Sequence, residues 1–599
     1  MLKNKAVLVS KDIFNKSIQD ICKAEEISLD TETTGLFPYH GDRPFSVAIS
    51  TPDTNYYFNF NKMVDIPADL ILPRESFGRF QQIADMSPRI YMQNAKFDMH
   101  HMGLDWSVAT IYCTEVMGRL RNNERKSYSL ANQAKLIGME KDDTVMEHIK
   151  SAKLYEPRSR AGREWKQPCF EKAPFQMIAK YAMIDSEVTL MLGQAHMKFF
   201  EKQPAGTKKN PMMVLVNESR LTRVVHRMEK TGVQCDMDYT ENSLAKTDEQ
   251  HTAALEKFKE LTDVQFLDSS LVYSRVFHDT DAKRFVQTAK GNLEFSKPVL
   301  KTFEHPAANL VIEIRKLASD MNFFKQFLFA ADAKGVIHTD YRQPGTRTGR
   351  FSSRNPNLQN LKKASEDDGD IVVRRAFVPR PGFRFFMIDY DQMEYRMMLD
   401  YAGAMGLIKL VLSGLDVHTA TANVAGVTRT IAKNVNFGTL YGQGMGSLAA
   451  SIGVPVAEAA RIQHSIFEAA PEVKKFINKV CHTAITRRQL YNWAGRCYQF
   501  PYKWMSYKAP NTLIQGGAAE VVRFAMTGIS NFLAMKKCES RMLLNIHDEL
   551  IFEIKDGEED LIPRIKRIME TTYPHKHLPL TCGVECSAKS LADKEKWNG

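Results

Sequence analysis

The chain is 599 residues long, 44% hydrophobic and 25% charged, with a net charge of +11 and a pI near 9.0. That length exceeds what one hydrophobic core supports, so about three to five structural units are expected, and the basic balance favours a polyanionic partner, nucleic acid first. No run of about 18 apolar residues occurs, which excludes a helical membrane span, and the nine Cys form no CxxC pair or Cys/His block, so Cys582 and Cys586 read as ordinary thiols of a reducing compartment.

The N-terminus, MLKNKAVLVSKDIF, lacks the apolar core of a signal peptide and reads as a strand, an intracellular pattern. The first 200 residues alternate apolar runs with helical stretches, as an α/β domain does. Within them, ISLDTETTGL sets Asp30 and Glu32 two apart after an apolar strand, so both carboxylates share one face. Alone, such a pair is usually a solvated strand edge. YMQNAKFDMHHM then spaces Asn94 and Asp98 by one helical turn, and YAMIDSEVTL does the same with Tyr181 and Asp185.

GTKKNP at 206–211 reads as a linker. After it, ESRLTRVVHRMEKTG places Leu221, Val224, Val225 and Met228 on one helical face that ends near Gly232. Arg220, Arg223 and Arg227 form a second stripe, either a solvated face or a DNA-backbone contact. Residues 240–335 read as mostly helical, and from 336 onward loops alternate with strands such as FRFFMIDY. In FFMIDYDQMEYRMML that strand runs into Asp389 and a short charged helix start. In TRTIAKNVNFGTLYGQG, Arg429, Lys433, Phe437 and Tyr441 recur every four residues and share a helical face about 120° wide. Two cations followed by two rings suit a triphosphate and a base. Gly438, which costs about 1 kcal/mol in a helix interior, reads as a point of close approach by a base or ribose. Finally, LLNIHDELIFEI at 543–554 fits a β-hairpin tipped by His547, Asp548 and Glu549, either a solvated turn or a metal-holding tip.

The three N-terminal acidic segments resemble the motifs of the DEDD 3′→5′ exonucleases, in the subgroup with Tyr in the last motif. The resemblance implies Asp30, Glu32, Asp98 and Asp185 as metal ligands and Tyr181 as the residue that orients the attacking water; Asn94 reads as a local backbone cap. Four carboxylates in one pocket repel unless cations neutralise them, which two divalent ions do. The three later segments resemble motifs A, B and C of family A DNA polymerases, the class of bacterial DNA polymerase I. TGRFSSRNPNLQN at 348–360, DVHTATA at 416–422, NTLIQGGAAEVV at 511–522 and LTCGVECSAKSLADKEKW extend that resemblance over nearly the whole chain.

The implied fold is α/β and multidomain: an RNase H-like exonuclease at 1–205, then a right-hand polymerase with thumb at 206–345, palm at 346–403 and 506–599, and fingers at 404–505. Asp389 and Asp548 are implied to hold two Mg²⁺ ions, with Mn²⁺ as an alternative and the Tyr390 carbonyl as a further ligand. Glu549 belongs to the catalytic set as its less essential acid, and His547 lies by the primer terminus. Lys433, also catalytic, and Arg429 take the β- and γ-phosphates with help from His418. Phe437 lies near the sugar and Tyr441 beside the nascent pair. Glu394, supported by Gln392, excludes a 2′-hydroxyl. Arg350, Asn511 and Gln515 read minor-groove acceptors. The expected partners are primer–template DNA and dNTPs, with accessory replication proteins besides. The protein is expected to be a monomer, off the membrane, in a host cytoplasm or an organelle.

Departures from the family pattern carry expectations of their own. Asp391 replaces Ser, and if the strand persists it shares a face with Asp389; an outward orientation is expected. Met393 replaces Ile, Tyr395 follows Glu394, and Tyr507 stands where bacterial enzymes carry Arg. The short stretch from His418 to Arg429 implies trimmed fingers. No 5′-nuclease domain is expected ahead of the exonuclease, and no processivity insertion before Thr346, a layout that looks like a phage or organelle replicase. Two rival readings are an exonuclease whose C-terminal half only binds DNA, and a single-subunit RNA polymerase.

Overall fold

The computed structural model describes residues 3–86, 89–202, 211–287, 291–362, 369–440, 442–597 and 599; the expected linker (except Pro211) and Tyr441 lie outside them. Strands β1 (Lys5–Leu8), β2 (Glu26–Thr33), β3 (Pro44–Ser50), β4 (Thr54–Asn59), β5 (Arg89–Met92) and β6 (Ile111–Cys113) form one mixed sheet in the order β1-β4-β3-β2-β5-β6. β3, apolar along its length and buried at every residue, pairs antiparallel with both β2 and β4. The helix Phe175–Glu201 crosses this sheet closely because small polar residues line the contact. Ser28 Oγ donates to the Ser186 carbonyl (2.6 Å), and Ser50 Oγ donates to Ser186 Oγ (3.0 Å).

The helix Pro211–Thr231 buries Leu221, Val224, Val225 and Met228, as the periodicity predicts. It stops at Gly232, whose φ of +59° favours glycine and whose Cβ would fall 2.5 Å from Val336. The Arg stripe divides: Arg220 and Arg227 are exposed, while Arg223 donates to the Ser107 carbonyl of the N-terminal unit. A third set of residues on this helix faces inward. Glu218 meets Arg496 and Arg523, and Arg496 also meets Glu520, all at most 5% exposed. Two acids and two guanidiniums thus tie this helix to the helix Ala509–Lys536 and the hairpin Gln489–Tyr491/Cys497–Gln499. The N-terminal unit is fastened separately: Lys96 Nζ donates to Glu229 (2.5 Å) and Asp340 (3.1 Å).

The second sheet is antiparallel, with Arg541–Ile546, Glu549–Lys555, Phe383–Tyr390, Cys582–Ser587 and Glu595–Lys596 in that spatial order. Its middle strand is apolar on both faces. Phe386 and Ile388 join one core with Phe552, while Phe385 and Met387 join another with Leu543 and Ile551. The strand ends at Tyr390, so Asp391 leaves the ladder and turns outward, its carboxylate accepting from Thr581 Oγ1 (2.8 Å). Around this sheet stand the paired helices Met237–Thr262 and Ala307–Ala330 on one side. On the other is a helical group that includes Val417–Ala425, Arg429–Leu440 and Met445–Ile452. No described helix is long and apolar enough to cross a membrane.

Candidate active sites

The Ser28–Ser186 hydrogen bond fixes which face of β2 meets the helix Phe175–Glu201, and strand alternation puts Asp30 and Glu32 on that face beside Asp185. Asp98, on the helix Lys96–Met102, is drawn in by Thr31, whose N–H (3.0 Å) and Oγ1 (2.7 Å) both donate to its Oδ1. Asn94, just before that helix, holds the left-handed φ of +56° that turns the chain toward the site, a backbone role. Burial drives the carboxyls up: Glu32 to about 8, with Asp185 adding to it, and Asp98 to about 7 against the Thr31 donors. Asp30 stands well above its ordinary value through burial and then through Asp98, Glu32 and Asp185. Tyr181, one turn before Asp185, has its hydroxyl raised by burial and by the same acids.

One cation answers these four acids. Lys141 Nζ lies 2.7 Å from Asp185 Oδ2 and 5.0 Å from the Tyr181 ring centroid. Four carboxylates near one ammonium, Asp98 and Asp185 buried and Asp30 and Glu32 half-buried, are the donor set of a hard divalent cation. In this conformation no three His, Cys, Asp or Glu side chains among the described residues surround a common ion position; Lys141 stands in a cation's place at Asp185. Sequence reasoning missed Lys141. Its segment, MEKDDT, has the look of a solvated loop.

In the second centre the strands Arg541–Ile546 and Glu549–Lys555 leave His547 and Asp548 as the turn between them, with His547 at a φ of +59°. The turn is clamped from behind. The His547 N–H donates to Gln359 Oε1 (3.0 Å), Asn545 Nδ2 donates to the His547 carbonyl (3.0 Å), and Gln359 Nε2 donates to the Asn545 carbonyl (2.5 Å). Asp389, at the end of its strand, sits close enough that burial and then its charge raise Asp548 to about 6. Tyr390 alternates to the other face and donates its hydroxyl to the Met569 carbonyl (2.9 Å). Glu549 pairs in register with Asp389 but belongs to the strand rather than the turn. Its carboxylate is matched by Lys594 Nζ (2.7 Å) and by the buried Arg374 (3.3 Å), two cations that sequence reasoning did not single out. Asp389, Asp548, Glu549 and His547 line a cleft of about 810 Å³, whose far wall includes Ser319, Asn322 and Gln326 of the helix Ala307–Ala330.

The remaining candidates are not among the residues that line this cleft. Arg350 is ion-paired with the buried Glu394. Gln392, at a φ of +48°, accepts from the Val417 N–H (3.1 Å) and donates to Asp416 (3.4 Å), which also holds Arg429 Nε (3.2 Å). His418 is buried and pushed down to about 4 by that burial and by Arg429, so it is neutral near pH 7, a hydrogen-bonding group rather than a cation. Its ring lies 5.4 Å from Phe437, while Lys433 on the same helix is exposed. Tyr395, a departure from the family pattern, donates to the buried Asn436 (2.8 Å), which also reaches His418 Nδ1 (3.2 Å), tying this helix to the helix Met393–Ala402. Asn511 and Gln515 lie half-buried one turn apart on Ala509–Lys536. Farther along that helix Ala518, Ala519 and Val522 share a small cavity with Arg350, His547 and Asp548. A Cβ at Gly438 would meet the side-chain ends of Gln443 at 2.7 Å and Leu448 at 2.9 Å, so the position is close-packed within the protein as well.

Comparison with known proteins agrees with this arrangement. A sequence model described as DNA polymerase family A matches residues 237–592, and one described as 3′-5′ exonuclease matches residues 7–198. DNA polymerase DpoZ of Salmonella phage PMBT28 is 26% identical over 92% of this chain and 94% of its own length. DNA polymerase I of Chloroflexus aurantiacus is 28% identical over 94% of this chain but only 61% of its own length, so the chain spans about three-fifths of that relative. The polymerase domain of Pol1 from M. smegmatis, solved with primer–template DNA and dNTP, superposes with a TM-score of 0.81 at 20% identity, covering 98% of this chain and 99% of that one. The chain therefore belongs to DNA polymerase family A and carries a 3′-5′ exonuclease domain ahead of its polymerase half.

Proposed function

We propose that template-directed DNA synthesis proceeds at Asp389 and Asp548 and that 3′→5′ proofreading proceeds at Asp30, Glu32, Asp98 and Asp185. The observation that carries this is the meeting of Asp389 with Asp548, 159 residues apart in sequence, at the floor of one cleft. Both donor sets suit divalent cations, with the Tyr390 carbonyl as a further ligand beside Asp389; Mg²⁺ is the expected ion and Mn²⁺ its substitute. When bound, such ions supply charge neutralisation on phosphate and activation of a hydroxyl or water.

The protein's own groups do the rest. Lys433 and Arg429 grip the triphosphate electrostatically, and neutral His418 offers it a hydrogen bond. Phe437 bears on the sugar and Tyr441 on the nascent pair. Glu394, held by Arg350 and backed by the Gln392–Asp416 bridge, leaves no room for a 2′-hydroxyl, so Glu394→Ala should admit ribonucleotides in an incorporation assay. Arg350, Asn511 and Gln515 present donors to minor-groove acceptors that all correct pairs share, and His547 flanks the primer terminus. Glu549 shapes the floor of the cleft through Arg374 and Lys594. At the other site Tyr181 orients the attacking water. The chain divides as exonuclease 1–205, thumb 206–345, palm 346–403 and 506–599, and fingers 404–505. It works as a monomer on primer–template DNA and dNTPs with accessory replication proteins, and the similarity to phage polymerases favours a host cytoplasm.

Primer extension and primer degradation, measured on one labelled substrate with Mg²⁺, test the reading. Asp389→Asn should lose extension by about a thousandfold or more and keep degradation, and Asp30→Ala should do the reverse. Degradation without any extension by the wild type would instead favour an exonuclease with a DNA-binding half.

A further inference from the structure

The segment PYKWMSYK, 501–508, breaks the usual economy of a folded surface. Tyr502, Trp504 and Tyr507 are 59%, 65% and 48% exposed within one short helical turn, Lys503–Lys508, which only Met505 anchors into the core. The rings are ordered: Tyr502 stacks on Trp504 at 6.1 Å and 13°, and the Lys508 ammonium stands 5.7 Å from Trp504 and 5.5 Å from Tyr507. Contiguous exposed aromatic surface of this kind marks a binding surface.

Two observations name what binds. From 473 to 519 the chain contains no Asp or Glu and eight Lys or Arg, of which Arg496 is buried in ion pairs, so the rings sit in a basic stretch, complementary to a polyanion. The row also continues the polymerase centre. On one side the Tyr507 carbonyl and ring lie 2.9 Å and 3.2 Å from where a Cβ of Gly442 would be, just past the helix Arg429–Leu440. On the other side the helix bearing Asn511 and Gln515 starts at Ala509. Flat rings interleaved with cations hold unpaired bases irrespective of sequence, because every base has a π-face and every nucleotide a phosphate. Duplex ends offer stacking at one base pair only, whereas an unpaired strand offers successive bases to successive rings.

We infer that Tyr502, Trp504 and Tyr507, with Lys503 and Lys508, form a stacking platform for the unpaired template strand beside the site of synthesis. This rests on the proposed polymerase reading. If that reading failed, the wild type would not extend a primer at all, whereas failure of the platform leaves extension in place.

The test uses the full chain and two DNA probes, a blunt duplex and the same duplex with a long 5′ template overhang. The ratio of affinities, overhang over blunt, should fall roughly tenfold in Trp504→Ala, further in Tyr502→Ala/Trp504→Ala, and recover in Trp504→Phe. Fluorescence that is lost in Trp504→Phe should be quenched in the wild type by the overhang probe and not by the blunt one. An unchanged ratio in the double variant would overturn the proposal, as would equal losses on both probes, or quenching by the blunt duplex alone.

Discussion

The two acidic centres solve the same electrostatic problem differently. The exonuclease centre gathers four carboxylates against one ammonium, Lys141, and leaves Asp98 and Glu32 raised to about 7 and 8. The polymerase centre sets three acids along its cleft and balances one of them, Glu549, with Lys594 and with Arg374, which lines the same cleft. Arg429 and Lys433 lie on the helix Arg429–Leu440, outside the lining of that cleft. The lesson is one of timing. The first site stores repulsion among four acids, whereas in the second Glu549 is matched by cations beforehand and repulsion remains between Asp389 and Asp548.

The sharpest way to break the comparison is to remove the cations that match Glu549. Arg374→Met leaves Glu549 buried beside a lone Lys594. Loss of one partner of a buried pair costs about 3–5 kcal/mol, so denaturant unfolding should show that loss together with impaired extension. Arg374→Lys should recover part of both. A variant as stable and active as the wild type would show that Glu549 is not balanced this way.

Next in size, Lys141→Gln should lower by severalfold the Mn²⁺ concentration that half-saturates degradation of single-stranded primer, while extension is unchanged. Calorimetry with Mn²⁺ in an Asp389→Asn background should show tighter binding at the exonuclease centre, because a resident competitor has gone. Weaker binding would mean that Lys141 organises the acids rather than standing in for an ion.

A smaller effect separates the centres by pH. In EDTA the folded exonuclease acids titrate near 7 and 8, above their ordinary 3.8 and 4.5. The folded state therefore binds more protons than the unfolded state across that window. The stability these acids contribute is fully present below about 4 and is lost as pH rises toward 8. Asp548, raised only to about 6, stops contributing at that lower pH. Thermal melts of the EDTA-treated protein should thus fall by several degrees between pH 6 and 8, and Asp98→Asn should flatten the fall where Asp548→Asn does not. A flat profile for the wild type would contradict the stored repulsion.

Much of each centre could be read from spacing. Asp30 with Glu32, Tyr181 with Asp185, and Asp389 at the mouth of an apolar strand obey the short periods that strands and helices impose. The hairpin tip was ambiguous because its clamp comes from Gln359, far away in sequence and invisible to any local pattern. Lys141, Arg374 and Lys594 were hidden for the same reason: a counter-charge needs only proximity, and proximity set by tertiary packing leaves no periodic trace. The packing of Gly438 against Gln443 and Leu448 was equally hidden, because both lie beyond the helix that carries the glycine. The Arg220 stripe divided because a helix between two units has no single solvent face.

The central claim, that distant carboxylates converge at two places to hold divalent cations, is tested most directly by anomalous scattering from crystals soaked in Mn²⁺. Density between Asp389 and Asp548, and a second site among Asp30, Glu32, Asp98 and Asp185 with Lys141 withdrawn from Asp185, is the predicted result. Crystals that bind Mn²⁺ at neither place, with Lys141 still paired to Asp185, would contradict it.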